Sequence, residues 1–91
     1  MTVPPPRDLA YANSALVFLE GLPKKQRRQV VEKISRLLAD PMPPGSKQLE
    51  NVLEGGDPVR RIRQGEYRVL YVVRESRILV VDIDHRKDVY R

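Results

Sequence analysis

The sequence predicts an α+β fold: an N-terminal helical hairpin packed on a mainly antiparallel β-sheet of three to four strands. Two observations carry this expectation. Apolar residues recur at helical spacing between residues 15 and 38, with polar residues between them. After residue 58 the pattern changes to segments rich in β-branched and aromatic residues, separated by short polar breaks. At 91 residues, one domain spanning 1–91 is expected, with a small core.

Residues 1–8 hold three prolines and are expected to be irregular or extended. Leu9–Ala12 reads as a short strand. Asn13 or Ser14 then suits a helix cap, because a short polar side chain can accept a bond from the free N–H groups of the first turn. The first helix runs over Ala15–Leu22, with Leu16, Leu19 and Phe18 facing inward. Pro23 fits the first position of a second helix, where its missing N–H costs nothing. That helix extends from Lys24 to Ala39, with Val30, Val31, Ile34, Leu37 and Leu38 on one stripe, and Asp40-Pro41 stops it. So short a link predicts an antiparallel hairpin.

Residues 41–58 contain four prolines and three glycines and read as a long connection, with a helical turn over Lys47–Leu53. Three strands follow: Val59–Gln64, Tyr67–Arg74 and Ile78–His85. Gly65-Glu66 fits a two-residue type II′ hairpin turn. That turn pairs Arg63 with Arg68, Ile62 with Val69 and Arg61 with Leu70. Alternation sends Ile62, Val69, Tyr71 and Val73 toward the helices, and Arg61, Arg63 and Arg68 together to the other face. A three-residue loop at Glu75–Arg77 would turn Leu79, Val81 and Ile83 inward and place Asp82 and Asp84 beside the arginines. A two-residue loop would reverse this. The first register is favoured because it keeps both aspartates out of the core.

Composition narrows the chemistry. Hydrophobic residues at 41% suit a folded domain, and charged residues at 32% give an ion-rich surface. The absence of cysteine excludes a disulfide scaffold, a thiol nucleophile and Cys-based zinc sites. The single histidine excludes a His-rich metal site. The longest apolar run, Ala15–Leu19, is too short for a membrane span. Met1–Pro6 carries no apolar secretory segment, so the expected location is the cytoplasm. Seventeen Lys+Arg against twelve Asp+Glu give a formal charge of +5. Such a balance suits a polyanion partner, and equally a surface kept soluble by charge.

Placement of the charge is more telling. Arg63 directly opposite Arg68 costs a few tenths to about 1 kcal/mol in repulsion. An anion held between them would offset it. The alternative is a solvated face of Arg–Asp pairs.

Three stretches resemble a known family: Lys47-Gln48-Leu49; Val59-Arg60-Arg61-Ile62-Arg63-Gln64-Gly65-Glu66-Tyr67-Arg68-Val69-Leu70-Tyr71; and His85-Arg86-Lys87-Asp88-Val89-Tyr90-Arg91. They are similar to the RelE/ParE superfamily of bacterial and archaeal toxins, over about residues 9–91. The resemblance implies a RelE-like toxin neutralised by a cognate RelB-like antitoxin in a hetero-oligomer. For the RelE branch it implies a ribosome-dependent mRNA endonuclease needing no metal or other cofactor. The ribose 2′-hydroxyl attacks the adjacent phosphate, the 5′-oxygen leaves and a 2′,3′-cyclic phosphate remains. For the ParE branch it implies inhibition of DNA gyrase by binding alone.

The resemblance also implies roles. Arg68 matches the strand arginine at the scissile phosphate. Arg86 matches the arginine that stabilises the transition state or assists the leaving group. Tyr90 matches the tyrosine that orients the nucleotide. Arg61 stands where the family often has a lysine, and its high pKa suits charge stabilisation better than proton acceptance. Val59 replaces a second basic position, which leaves the general base open. His85 is either that acid or base, or a strand-end residue packed in place. Arg63 and Lys47 would add to RNA binding. Lys24, Lys25, Arg27 and Arg28 suit ribosomal RNA, contributing affinity without sequence information. Leu16, Phe18 and Val31 are candidate antitoxin contacts.

Overall fold

The computed structural model describes residues 8–85. The elements run β1 (Asp8–Tyr11), α1 (Asn13–Glu20), α2 (Lys24–Ser35), a 3₁₀ turn (Arg36–Leu38), β2 (Lys47–Glu54), β3 (Asp57–Gln64), β4 (Tyr67–Val73) and β5 (Arg77–His85). The strands form one five-stranded sheet in the order β1-β5-β4-β3-β2. All neighbours are antiparallel except β1 and β5, which run parallel. The α+β class and the helical pair stand. The expected three to four strands become five, and β1 precedes the hairpin of helices.

The extra strand is β2, where a helical turn over Lys47–Leu53 was expected. Gly55 and Gly56 both have positive φ, 59° and 87°, which a type I′ hairpin turn requires. This turn folds β2 back on β3, with Glu54 opposite Asp57. The ladder then breaks between Gln48 and Leu53, where β2 carries extra residues and Asn51 adopts φ 59°. Asparagine tolerates this left-handed backbone better than most residues.

The helices also differ in detail from expectation. No side chain caps α1. Ala12 occupies that position, and the Ser14 hydroxyl instead donates to the Val81 carbonyl at 3.1 Å. The inward stripe is Ala15 and Leu19, while Leu16 is exposed and Phe18 is half-buried. In α2, Pro23 sits at the N-cap rather than inside the first turn, and regular helix ends at Ser35. Val30, Ile34 and Leu37 are buried, with Val31 and Leu38 at the margin.

The β3–β4 register is the one expected, with Arg63 opposite Arg68, Ile62 opposite Val69 and Arg61 opposite Leu70. Gly65 has φ 59° and Glu66 does not have positive φ, as a type II′ turn demands. The β4–β5 link departs from the expected three-residue loop. Backbone bonds between Arg74 and Arg77 leave only Glu75-Ser76 as the turn. Ile78 and Val80 therefore face the helices, and Leu79 does not. A bulge at Val81 then resets the alternation, because Leu70 pairs with Asp82 while Tyr71 pairs with Val80. Ile83 returns to the core, and Asp82 and Asp84 join the arginine face.

The core lies between the helices and one face of the sheet. It joins Ala15, Leu19, Val30, Ile34 and Leu37 to Ile62, Val69, Tyr71, Ile78, Val80 and Ile83. The largest of these is Tyr71, whose hydroxyl donates to the Pro41 carbonyl at 2.7 Å. Beside it, Arg60 donates to the Ser46 hydroxyl at 2.9 Å. The two bonds fix both ends of the link between the helices and β2. Among the described residues, no helix is long and apolar enough to cross a membrane.

Burial raises the Tyr71 pKa above its ordinary value, outweighing the opposite pull of Arg60 and Ser46. The folded state thus holds this proton more tightly than the unfolded chain. Its stabilising contribution is complete below the ordinary tyrosine pKa and is lost as pH rises through the raised one. Tyr71→Phe is expected to cost about 1–3 kcal/mol in urea unfolding at neutral pH. The same variant should lose stability less steeply than the parent above about pH 10.

Candidate nucleic-acid interface

The helices cover only one sheet face. On the other, strand register aligns two rows of side chains. Lys47, Arg61, Leu70 and Asp82 lie opposite one another across β2, β3, β4 and β5. Arg63, Arg68 and Asp84 form the neighbouring row across β3, β4 and β5. The sequence-derived grouping of Arg61, Arg63 and Arg68 on one face therefore holds.

These arginines are not equally exposed. Arg68 is 3% accessible and Arg61 is 9%, whereas Arg63 is exposed. Arginine is almost never buried so deeply without compensating partners, and Asp84 lies directly across from Arg68. Residues of β2 line the space beside them. Lys47, Leu49, Glu50 and Val52 enclose, with Arg61, Arg68 and Leu70, an open cleft of about 490 Å³. Sequence reasoning found Lys47 but missed Leu49, Glu50 and Val52, because it read this segment as a loop with a helical turn. The available signal was Gly55-Gly56, a strong hairpin pair.

A smaller hollow of about 290 Å³ lies on the other side of Arg61, lined by Lys33, Pro44, Gly45, Arg61, Ile62 and Arg63. Lys33, on α2, was not among the functional residues expected from sequence. Lys24, Lys25 and Arg28 are exposed on α2 and Arg27 is half-buried there, on the helical layer rather than on the arginine face.

His85 is not brought to the arginines. It pairs across the sheet with Tyr67, on the helix-facing side. Its ring meets Tyr67 edge-on at 5.6 Å, and Nε2 lies 3.5 Å from a Glu66 carboxylate oxygen. Tyr67 in turn meets Phe18 edge-on at 5.9 Å. These are the contacts of a packed strand-end residue. Arg86 and Tyr90 lie outside the described residues.

The arrangement can hold an anion. Arg61, Arg68 and Lys47 line one cleft, and the planar forks of arginine suit two phosphate oxygens at once. Glu50 is the one carboxylate among the lining residues.

The fold recurs in solved structures of toxins. The RelE–RelB complex of Pyrococcus horikoshii aligns at a TM-score of 0.74 and 26% identity, over 91% of this chain and 97% of the other. The RelBE2 toxin–antitoxin complex of Mycobacterium tuberculosis aligns at 0.72 and 27% identity, over 89% and 99%. The isolated RelE toxin of Escherichia coli shares the fold at 0.68 and 20% identity, over 85% and 81%. No match was found among curated proteins. The model of the family described as the ParE toxin of type II toxin–antitoxin systems matches residues 7–90, and the chain belongs to that family, within the RelE/ParE superfamily.

The Arg63–Arg68 repulsion gives a direct test of this face. Arg63→Glu should raise stability by about 0.2–1 kcal/mol in denaturant unfolding, by replacing a like-charged cross-strand pair with an opposite one.

Proposed function

We propose that this toxin is a ribosome-dependent mRNA endonuclease of the RelE type. The observation that carries the reading is the convergence of Arg61, Arg68 and Lys47 on one cleft, with Arg63 beside it on the same face. A phosphate passing through a five-coordinate state gathers negative charge, and fixed guanidinium groups stabilise that charge without reorganising. In the proposed reaction the ribose 2′-oxygen attacks the adjacent phosphorus, giving up its proton to a base. The bond to the 5′-oxygen breaks and that oxygen takes up a proton. The products are a 2′,3′-cyclic phosphate and a free 5′-hydroxyl.

Arg68 contacts the scissile phosphate in this scheme, and Arg61 supports the developing charge. Arg86 and Tyr90 are assigned, from the family resemblance alone, to leaving-group stabilisation and nucleotide orientation. His85 is left out of proton transfer because it lies on the opposite face. Lys24, Lys25, Arg27 and Arg28 present a second basic surface suited to ribosomal RNA.

The cellular partner in this reading is a RelB-like antitoxin, of the kind bound in the similar RelE–RelB complex of Pyrococcus horikoshii. Leu16 and Val17 on α1 are 43% and 60% accessible, beside half-buried Phe18. With the marginal Val31 on α2, they supply an apolar surface for such a partner.

The alternative is a ParE-like inhibitor that binds DNA gyrase without chemistry, favoured by the family model that matches the chain. Mapping mRNA ends in a cell-free translation system, alongside a gyrase supercoiling assay, separates the two. The expected result is mRNA cut only when ribosomes are present, with supercoiling unaffected. Arg68→Ala should slow cleavage by about 10²-fold or more. Intact mRNA together with blocked supercoiling would establish the alternative.

A further inference from the structure

Arg61 borders two hollows. One is the cleft it shares with Lys47 and Arg68. The other is the smaller hollow, where Lys33 and Arg63 join it. The second has three cations and no carboxylate among its described lining residues. A concavity lined by one sign of charge focuses the field and concentrates counter-ions.

Its backbone is also accessible. Gly45 has φ 91°, and a Cβ built there would meet nothing within 4 Å. Pairing between β2 and β3 begins at Lys47–Arg61, so β2 does not cover β3 at residues 62–64. The hollow therefore opens beside an uncovered stretch of strand. Nothing in the family resemblance or in the assigned roles accounts for Lys33, which belongs to α2 rather than to the sheet.

We propose that this hollow is a second phosphate subsite, which holds the phosphodiester next to the scissile one. Lys33 and Arg63 supply its charge, and Arg61 bridges the two phosphates. The proposal rests on the RNA-cutting reading and deepens it. The substrate backbone would cross β3 from one hollow to the other, so productive binding requires at least two consecutive phosphates. An acidic peptide would meet the same cations. The sharing of Arg61 favours a strand with regularly repeated charge, because both hollows are then filled by one ligand.

The experiment uses the full chain, ribosomes and mRNAs carrying a single neutral methylphosphonate linkage on one side or the other of the cleavage position. Cleavage of the all-phosphodiester mRNA by the parent protein tests the underlying reading separately. If that cleavage occurs, neutralising one of the two flanking linkages should slow it about tenfold, the scale of one charge-assisted hydrogen bond. Lys33→Ala should slow cleavage of the unmodified mRNA by a similar factor, and Lys33→Arg should restore it. Combining Lys33→Ala with the sensitive neutral linkage should cause no further loss, because both remove the same contact. Additive losses, an unchanged rate for Lys33→Ala, or an effect confined to antitoxin binding would overturn the proposal. Absence of cleavage by the parent protein would overturn it together with the RNA-cutting reading.

Discussion

The arrangement depends on a change of alternation within one strand. β5 begins in a register set by a two-residue turn, which directs Ile78 and Val80 inward. Continued without interruption, that alternation would bury Asp82 and Asp84 and expose Ile83. Burying two carboxylates under a helical hairpin would cost several kcal/mol each. The bulge at Val81 removes the conflict by inserting one residue. It is held from the helix side, where Ala12 N–H donates to the Val80 carbonyl at 2.8 Å and the Ser14 hydroxyl to the Val81 carbonyl at 3.1 Å. One irregularity thus completes the core and delivers two carboxylates to the arginine face.

The two sheet faces are built for different purposes. The helix side is apolar and closely packed, with its polar groups at the edges: Tyr71 on the Pro41 carbonyl and His85 near Glu66. The other side gathers Lys47, Arg61, Arg63 and Arg68 without a helical cover. β2 lines the cleft beside Arg61 and Arg68, so the shape of that cleft depends on the least regular strand.

Much of this was legible in the sequence. Gly65 needs positive φ only in a tight hairpin turn, and that single position determines the whole β3–β4 register. Arg61, Arg63 and Arg68 then fall on one face by alternation alone. The missed elements share a physical cause. β2 lacks clean two-residue alternation because its ladder breaks at Asn51, and its residues are largely exposed at the sheet edge. The Val81 bulge leaves no mark in residue type; the favoured outcome for Asp82, Asp84 and Ile83 was correct, but the loop invoked to reach it was not. Leu16 was misplaced because the buried face of α1 runs through Ala15 and Leu19, four residues apart, and leaves Leu16 exposed. Spacing could not place His85 relative to Arg68 until the bulge had fixed the parity of β5.

The parallel pairing of β1 with β5 has a consequence for biosynthesis. These strands lie at opposite ends of the described chain, and the Asp8–Arg77 ion pair joins residues 69 positions apart. α1 packs on β5 as well, so both early elements must wait for the last one. Because synthesis proceeds from the N-terminus and long-range contacts bear the entropy of closing the intervening loop, a nascent chain that has not yet released β5 has no completed sheet. The toxin fold can therefore mature only once β5 has left the ribosome.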